Sequence, residues 1–198
     1  MIWLRRALIA LIGLLVPLIA YGFIFIAILN APWFSWYKNA LSDLGAHQGS
    51  DIIFNTGLMI AGILETLFAY GLFKEFKDLT RRIGAAILVF SGIALFGIGL
   101  FPETYETIHL YFSIAFFVSF PFGIFALGLS YIRNKENLLL GILAVLFFVA
   151  SGIIWAFPWK AYGITGVAIP EFLSSLCGTI YIIAISLELL KTGRAEKT

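Results

Sequence analysis

Ser42, Asp43 and His47 sit together in the stretch 31–52, APWFSWYKNALSDLGAHQGSDI. A hydroxyl, a carboxylate and an imidazole at this spacing are the raw material of general acid–base or nucleophilic chemistry. If the segment is helical, Asp43 and His47 share one face. Ser42 or Asp43 also suits the first position of a short helix, and Gly45 and Gly49 keep that helix short. The second histidine, His109, stands beside Glu103 and Glu106, and Glu171 follows Pro170. Three chemistries fit these residues. His47, His109 and Asp43 form a candidate set for a divalent metal such as zinc, with an open position for water. Ser42 as nucleophile, a histidine as base and a carboxylate as orienter would serve metal-free hydrolysis or acyl transfer. The same groups would also recognise a polar headgroup. Asp51, Glu106 and Glu171 read equally well as charges that favour a helix start. Bis-histidine haem ligation is disfavoured, because His47 lies in a loop.

Glu65 is of another kind. It falls near the middle of a long apolar run, where an ionisable group is expensive. It reads either as polar glue between helices or as a proton or cation relay. Ser91, Ser151, Thr179 and Tyr181 lie at comparable depth as candidate partners.

Those residues need elements to hold them. Of the 198 residues, 61% are hydrophobic and 12% charged. Soluble domains carry about 25% charged residues. The composition therefore excludes a disordered chain and points to a polytopic helical membrane protein. Six apolar runs are long enough to cross a bilayer: Ala7–Asn30, Ile53–Phe73, Ile83–Phe101, Ile108–Ile132, Leu138–Phe157 and Ile169–Leu190. The first is too long for a signal h-region and reads as a span. Pro17 and Pro121 should kink their spans. The expected architecture is all-α, a single six-helix membrane domain over 1–198, with 31–52 as a long extracytoplasmic loop.

Charge placement orients it. With both termini cytoplasmic, Arg5, Arg6, Lys74, Lys77, Arg81, Arg82, Arg133, Lys135, Lys191, Arg194 and Lys197 face inward, and only Lys38 and Lys160 face outward. Trp33, Trp36, Trp155 and Trp159 then form an outer aromatic belt and Trp3 an inner one. The outer face becomes acidic, through Asp43, Asp51, Glu103, Glu106 and Glu171. A net charge of +2 gives no nucleic-acid footprint, and the single Cys177 excludes an intrachain disulfide. Ser91-Gly92-Ile93 and Ser151-Gly152-Ile153 suggest a faint internal repeat.

Taken in order, Ser42-Asp43-Leu44-Gly45, Ile53-Phe54-Asn55-Thr56-Gly57-Leu58 with Gly62, Phe101-Pro102 followed by His109, and Pro170-Glu171 form a set. This set resembles the prokaryotic membrane family catalogued as domain of unknown function 998, over roughly Ala7 to Leu190. The resemblance implies a six-helix bundle with an outward-facing polar pocket and brings no settled activity. It raises Ser42, Asp43, Asn55, His109 and Glu171 as site residues; His47 and Glu65 fall outside its pattern. Whether the chain is an enzyme stays open. The leading expectation is a hydrolase or transferase acting on a lipid or lipid-linked substrate in the plasma membrane. Ser42, Asp43, His109 and Glu171 would be catalytic, with Asn55, His47, Glu103 and Glu65 in binding roles. The pocket wall is expected from spans two, four and six, with the outer loop as lid. The alternatives are a proton-coupled transporter, carrier or receptor using Glu65, and an accessory membrane subunit. Membrane lipids are the expected partners, and no nucleic acid is.

Overall fold

A computed structural model of the chain describes residues 2–195; Lys197 and the side chain of Arg194, both assigned to the basic rim, lie outside the described residues. Six long helices carry the fold: α1 (Ile2–Leu29), α2 (Asp51–Glu75), α3 (Leu79–Leu100), α4 (Thr107–Arg133), α5 (Leu138–Ala156) and α6 (Ala168–Ala195). All six are long and apolar enough to span a membrane. Helix is the element that satisfies its own backbone where water is absent. The chain is thus a multi-pass helical membrane protein, as its composition required. Five of the helices run beyond their apolar cores at one end or both, whereas α5 ends one residue short of Phe157. Both α1 and α4 continue unbroken past Pro17 and Pro121.

Each helix packs on its neighbour in sequence, and α6 returns to α1, closing a ring. Small residues let the backbones close up. A side chain at Gly62 would run into the α3 backbone at Phe96 and Gly92, and one at Gly84 would meet the α4 carbonyl of Gly123 at 2.8 Å. Small residues at such crossings are how helices associate in lipid. The suggested repeat does not extend to packing: Gly92 is pressed against Thr66 of α2, whereas Gly152 faces open space.

The two ends of the ring differ. At the basic end, Asp78 caps α3 by accepting from the Arg81 backbone N–H at 3.0 Å, and Ser130 of α4 donates to the same carboxylate at 2.6 Å. Arg133 pairs with Asp78 at 2.6 Å and Arg6 with Glu75 at 2.6 Å. The Ser130 hydrogen bond is the largest of the effects that hold the Asp78 carboxyl below the usual carboxylate range. Arg81 is buried and lies over the Tyr131 ring, its guanidinium carbon 4.2 Å from the centroid. Charge counting had treated this stretch as a topology signal only. It is also the clasp between α3 and α4.

The opposite end carries the non-helical segment 30–50. Residues 37 and 39 pair with the strand-like approach to α6: Thr165 N–H donates to the Tyr37 carbonyl at 2.8 Å and Ala168 N–H to Asn39 at 2.9 Å. The long loop is therefore fastened across the mouth of the ring.

The glycine crossings generate a prediction. Gly62→Val should lower stability by about 1–3 kcal/mol, the usual cost of overpacking. Gly22→Val, with nothing within 4 Å of its added carbon, should stay within about 0.5 kcal/mol. Thermal unfolding of the purified protein in detergent checks both; equal melting of the two variants would refute the close α2–α3 crossing.

Candidate functional site

The site is built from two short 3-10 turns and three helix ends. The first turn, Ser42–Gly45, packs against both α2 and the second turn, Glu103–Tyr105. Asp43 does not cap it in the ordinary sense. Its Oδ2 reaches back to accept from Asn39 Nδ2 at 2.6 Å and from the Ala40 N–H at 3.0 Å. Asn55, from the first turns of α2, donates to the Gly45 carbonyl at 2.9 Å. Gly45 is required there, because a Cβ would collide with the Asn55 side chain. Asn55 is thus a clamp on the turn rather than a wall of a cavity.

Glu171, in the first turn of α6, is 8% exposed. Its Oε2 accepts the Leu41 backbone N–H at 2.7 Å, a bond that spans 130 residues. This carboxylate was readable as a charge favouring its own helix start. Instead it satisfies the backbone of the loop that lies over it.

His109 is buried one turn into α4, and its Nδ1 lies 2.8 Å from the Phe101 carbonyl. A carbonyl only accepts, so Nδ1 carries the hydrogen and donates it. In the neutral ring Nε2 is then left as an acceptor. Glu106 makes this possible. It takes φ +38°, in the left-handed region that non-glycine residues rarely visit, and turns the chain from Glu103–Tyr105 into α4. His47 goes elsewhere. It is exposed, donates from Nδ1 to the Asp43 carbonyl at 2.8 Å, and lies 4.2 Å from the Trp33 ring. The two histidines do not converge, and among the described residues no three His, Cys, Asp or Glu side chains group to hold a metal ion.

Glu103 is the group the sequence underrated. Burial, then a hydrogen bond and the charge of Asp43, push its carboxyl above the ordinary glutamate range; Ser42 and, weakly, His47 pull the other way. Its Oε2 is buried without a hydrogen-bond partner among the described residues.

Two cavities meet at this cluster. The outer one is a cleft of about 790 Å³, lined by Ser42, Glu103, Glu106, His109 and Glu171 together with Leu110, Ile114, Phe117, Val118, Trp155 and Val167. Its walls are α4, the end of α5 and the start of α6, so α5 takes the place expected of span two. Leu110, Ile114, Val118, Trp155 and Val167 are all more than 40% exposed, which leaves the cleft open on the side of the bundle. The inner cavity holds about 80 Å³ inside the ring, walled by α1, α2, α3, α4 and α6. It shares Ser42, Ser113, Phe117 and Glu171 with the cleft and reaches Glu65. Here α2 does contribute.

Glu65 is 1% exposed. Ser91 is the polar side chain that faces it, yet Glu65 Oε1 and Ser91 Oγ are both buried and unpaired among the described residues. The other expected partners lie elsewhere. Thr179 donates to the Tyr21 hydroxyl at 3.4 Å, Tyr181 is placed near Tyr131 and Arg81, and Ser151 lines a separate small void.

Fold and site together define a multi-pass helical membrane protein with a polar cleft at one end of a six-helix ring. Residues 14–188 match the family described as "Protein of unknown function (DUF998)", and the chain belongs to that family. No curated protein and no solved structure matches it.

The Asn55 clamp is testable. Asn55→Ala strands the Gly45 carbonyl, a loss of about 1–3 kcal/mol for a buried group, and should loosen the segment over the mouth. Lys38 is exposed and is the only basic residue between 31 and 50. Trypsin should cut after Lys38 about tenfold faster in the variant, since about 1.4 kcal/mol is a tenfold change in opening. An unchanged rate would remove Asn55 from the clamp.

Proposed function

We propose that this protein is a membrane-embedded hydrolase or transferase that acts on an amphiphile whose polar head occupies the outer cleft. The observation that carries this reading is the cleft itself. It sets His109, Glu103 and Ser42 beside an apolar opening in the flank of the bundle and over a slim apolar cavity within it. A substrate with a polar head and a hydrocarbon tail fits both halves. Basic residues weighted to the opposite end support placing the cleft on the extracytoplasmic face.

The cleft also restricts the head. It is lined by three glutamates and no lysine or arginine. A phosphate group would meet carboxylates with no counter-charge, whereas an uncharged hydroxylated head would be accepted by their oxygens. An ester or similar bond of such a head is the proposed point of attack. His109, with Nδ1 held by the Phe101 carbonyl, presents Nε2 as base toward a water or toward Ser42. Glu103 keeps a proton to deliver to the leaving oxygen. Asp43 orients Glu103 while bracing the loop, and Glu171 fixes the lid. A zinc ion bound by His47, His109 and Asp43 receives no support from their arrangement, so the protein side chains carry these steps. The transporter and accessory-subunit readings have no comparable feature in their favour.

The test incubates protein-containing vesicles with a bacterial lipid extract and follows new products by mass spectrometry. Wild-type protein should give a product. His109→Gln and Glu103→Gln should each lower its rate by about a hundredfold or more, the usual worth of a positioned acid or base. Wild-type activity should decline as pH rises through the raised Glu103 value, since the acid form is lost. Glu103→Gln should remove that limb. The stability sign is the same: a glutamate raised in the folded state favours folding less as pH increases through that value. Product formation equal in wild type and both variants would falsify the assignment.

A further inference from the structure

The inner cavity ends in a group that a plain hydrocarbon cannot satisfy. Glu65 lines it, is 1% exposed, and leaves Oε1 without a partner among the described residues. Beyond Glu65 toward the basic end, Phe68, Leu72, Leu88, Leu127 and Ile185 are fully buried, and they close the ring. The cavity is therefore blind, which suits a bound chain end better than a conducted ion. Its walls are otherwise mostly apolar, with a short row of hydroxyls on one side: Tyr21 lies 3.0 Å from Ser175 and accepts from Thr179. From Asn55, level with the Ser42 turn, to Glu65 is ten residues of helix, or about 15 Å along the axis.

We infer that the inner cavity receives the tail of the amphiphile and that Glu65 selects a tail bearing an oxygen, such as a hydroxyl or carbonyl, near its far end. The inference rests on the reading of the cleft as a headgroup site and names the substrate class more closely. The physical reason is the cost of an unpaired polar atom. An alkyl end seated against Glu65 would leave Oε1 without a hydrogen bond in a dry site, at a penalty of about 1–3 kcal/mol. An oxygen on the chain removes the penalty on both sides. Sites built to bond a substrate hydroxyl reject the analogue that lacks it.

The experiment uses two probes, lauroyl glycerol and its ω-hydroxy derivative. Both have an uncharged head, and the chain is long enough to bring its end to Glu65. Binding to the purified full-length protein in detergent is followed by tryptophan fluorescence, with Trp155 in the cleft wall as reporter. Wild type should bind the ω-hydroxy ester about tenfold more tightly. Glu65→Leu should remove or reverse that preference, because the hydroxyl is then buried against carbon. Glu65→Gln, which still donates and accepts, should retain most of it. Melting curves of the variants confirm that each is folded. Equal binding of the two esters by wild type overturns the role of Glu65 and leaves the headgroup reading standing. A preference that survives Glu65→Leu does the same. Failure of both esters to bind overturns both readings together.

Discussion

Twenty-one residues, 30–50, lie across one end of a helix ring with one short 3-10 turn among them, and their N–H and C=O groups must find partners. Helices solve this requirement internally; the segment 30–50 does so only in part, through short turns such as Phe34 N–H to the Ala31 carbonyl and Leu44 N–H to the Leu41 carbonyl. Side chains supply the rest: Glu171 from α6 takes the Leu41 N–H, Asn55 from α2 holds the Gly45 carbonyl, and the segment's own Asp43 takes the Ala40 N–H. Ser50 donates to the Leu44 carbonyl at 2.8 Å in the same way. Non-helical backbone at such depth is tolerated only where protein buries it. The polar residues clustered at this end are therefore first of all the means of folding the loop. What remains after that demand is met is what is left for chemistry.

This division sorts the carboxylates. Asp43 and Glu171 are engaged with backbone donors, and their substitution would disturb the lid before it disturbed any reaction. Glu103 and Glu65 each keep a buried oxygen with no hydrogen-bond partner among the described residues. Buried unpaired polar atoms are uncommon and destabilising, and Asn55 Oδ1, Ser91 Oγ and the Tyr181 hydroxyl share the property among the described residues. Glu65 and Glu103 differ from these in lining the two cavities that share Ser42, Ser113, Phe117 and Glu171. The strained backbone at Glu106 belongs to the same pattern, since it is the turn that sends the buried His109 to the Phe101 carbonyl.

The architecture was legible in the sequence because hydrocarbon thickness sets span length, and six runs of sufficient length leave few alternatives. The ring closure of α6 on α1 was not legible, for it depends on which faces carry small residues at the crossings. At the site, residue type identified most members but not their duties. Asn55 is a clamp because it meets Gly45, ten positions away, and Glu171 accepts from a residue 130 positions away. Such pairings have no local signature. Glu103 is assigned a binding role from the sequence, but its meeting with Asp43 joins two separate loops and has no local signature. His47 shows the reverse. Its spacing from Asp43 did place them together, but through the Asp43 carbonyl, which leaves the histidine outside the cleft. The Asp78–Ser130–Arg81 clasp was hidden for a simpler reason: basic residues near a membrane have a sufficient explanation in topology.

The position of the cleft on the flank of the ring follows from the lengths of the helices. α5 has 19 residues and α4 has 27, so the α5 end falls short of the level that α4 reaches. The turn at Trp159–Tyr162 and the approach to α6 then pass to one side, and the gap between α4 and α6 stays open at the depth of Trp155. A globular enzyme would seal such a gap, since about 25 cal/mol is lost for each Å² of apolar surface left in water. In a bilayer the same surface meets lipid, and that penalty does not arise. A short fifth helix is thus tolerated here at little cost in stability, and it leaves the site open to molecules already dissolved in the membrane.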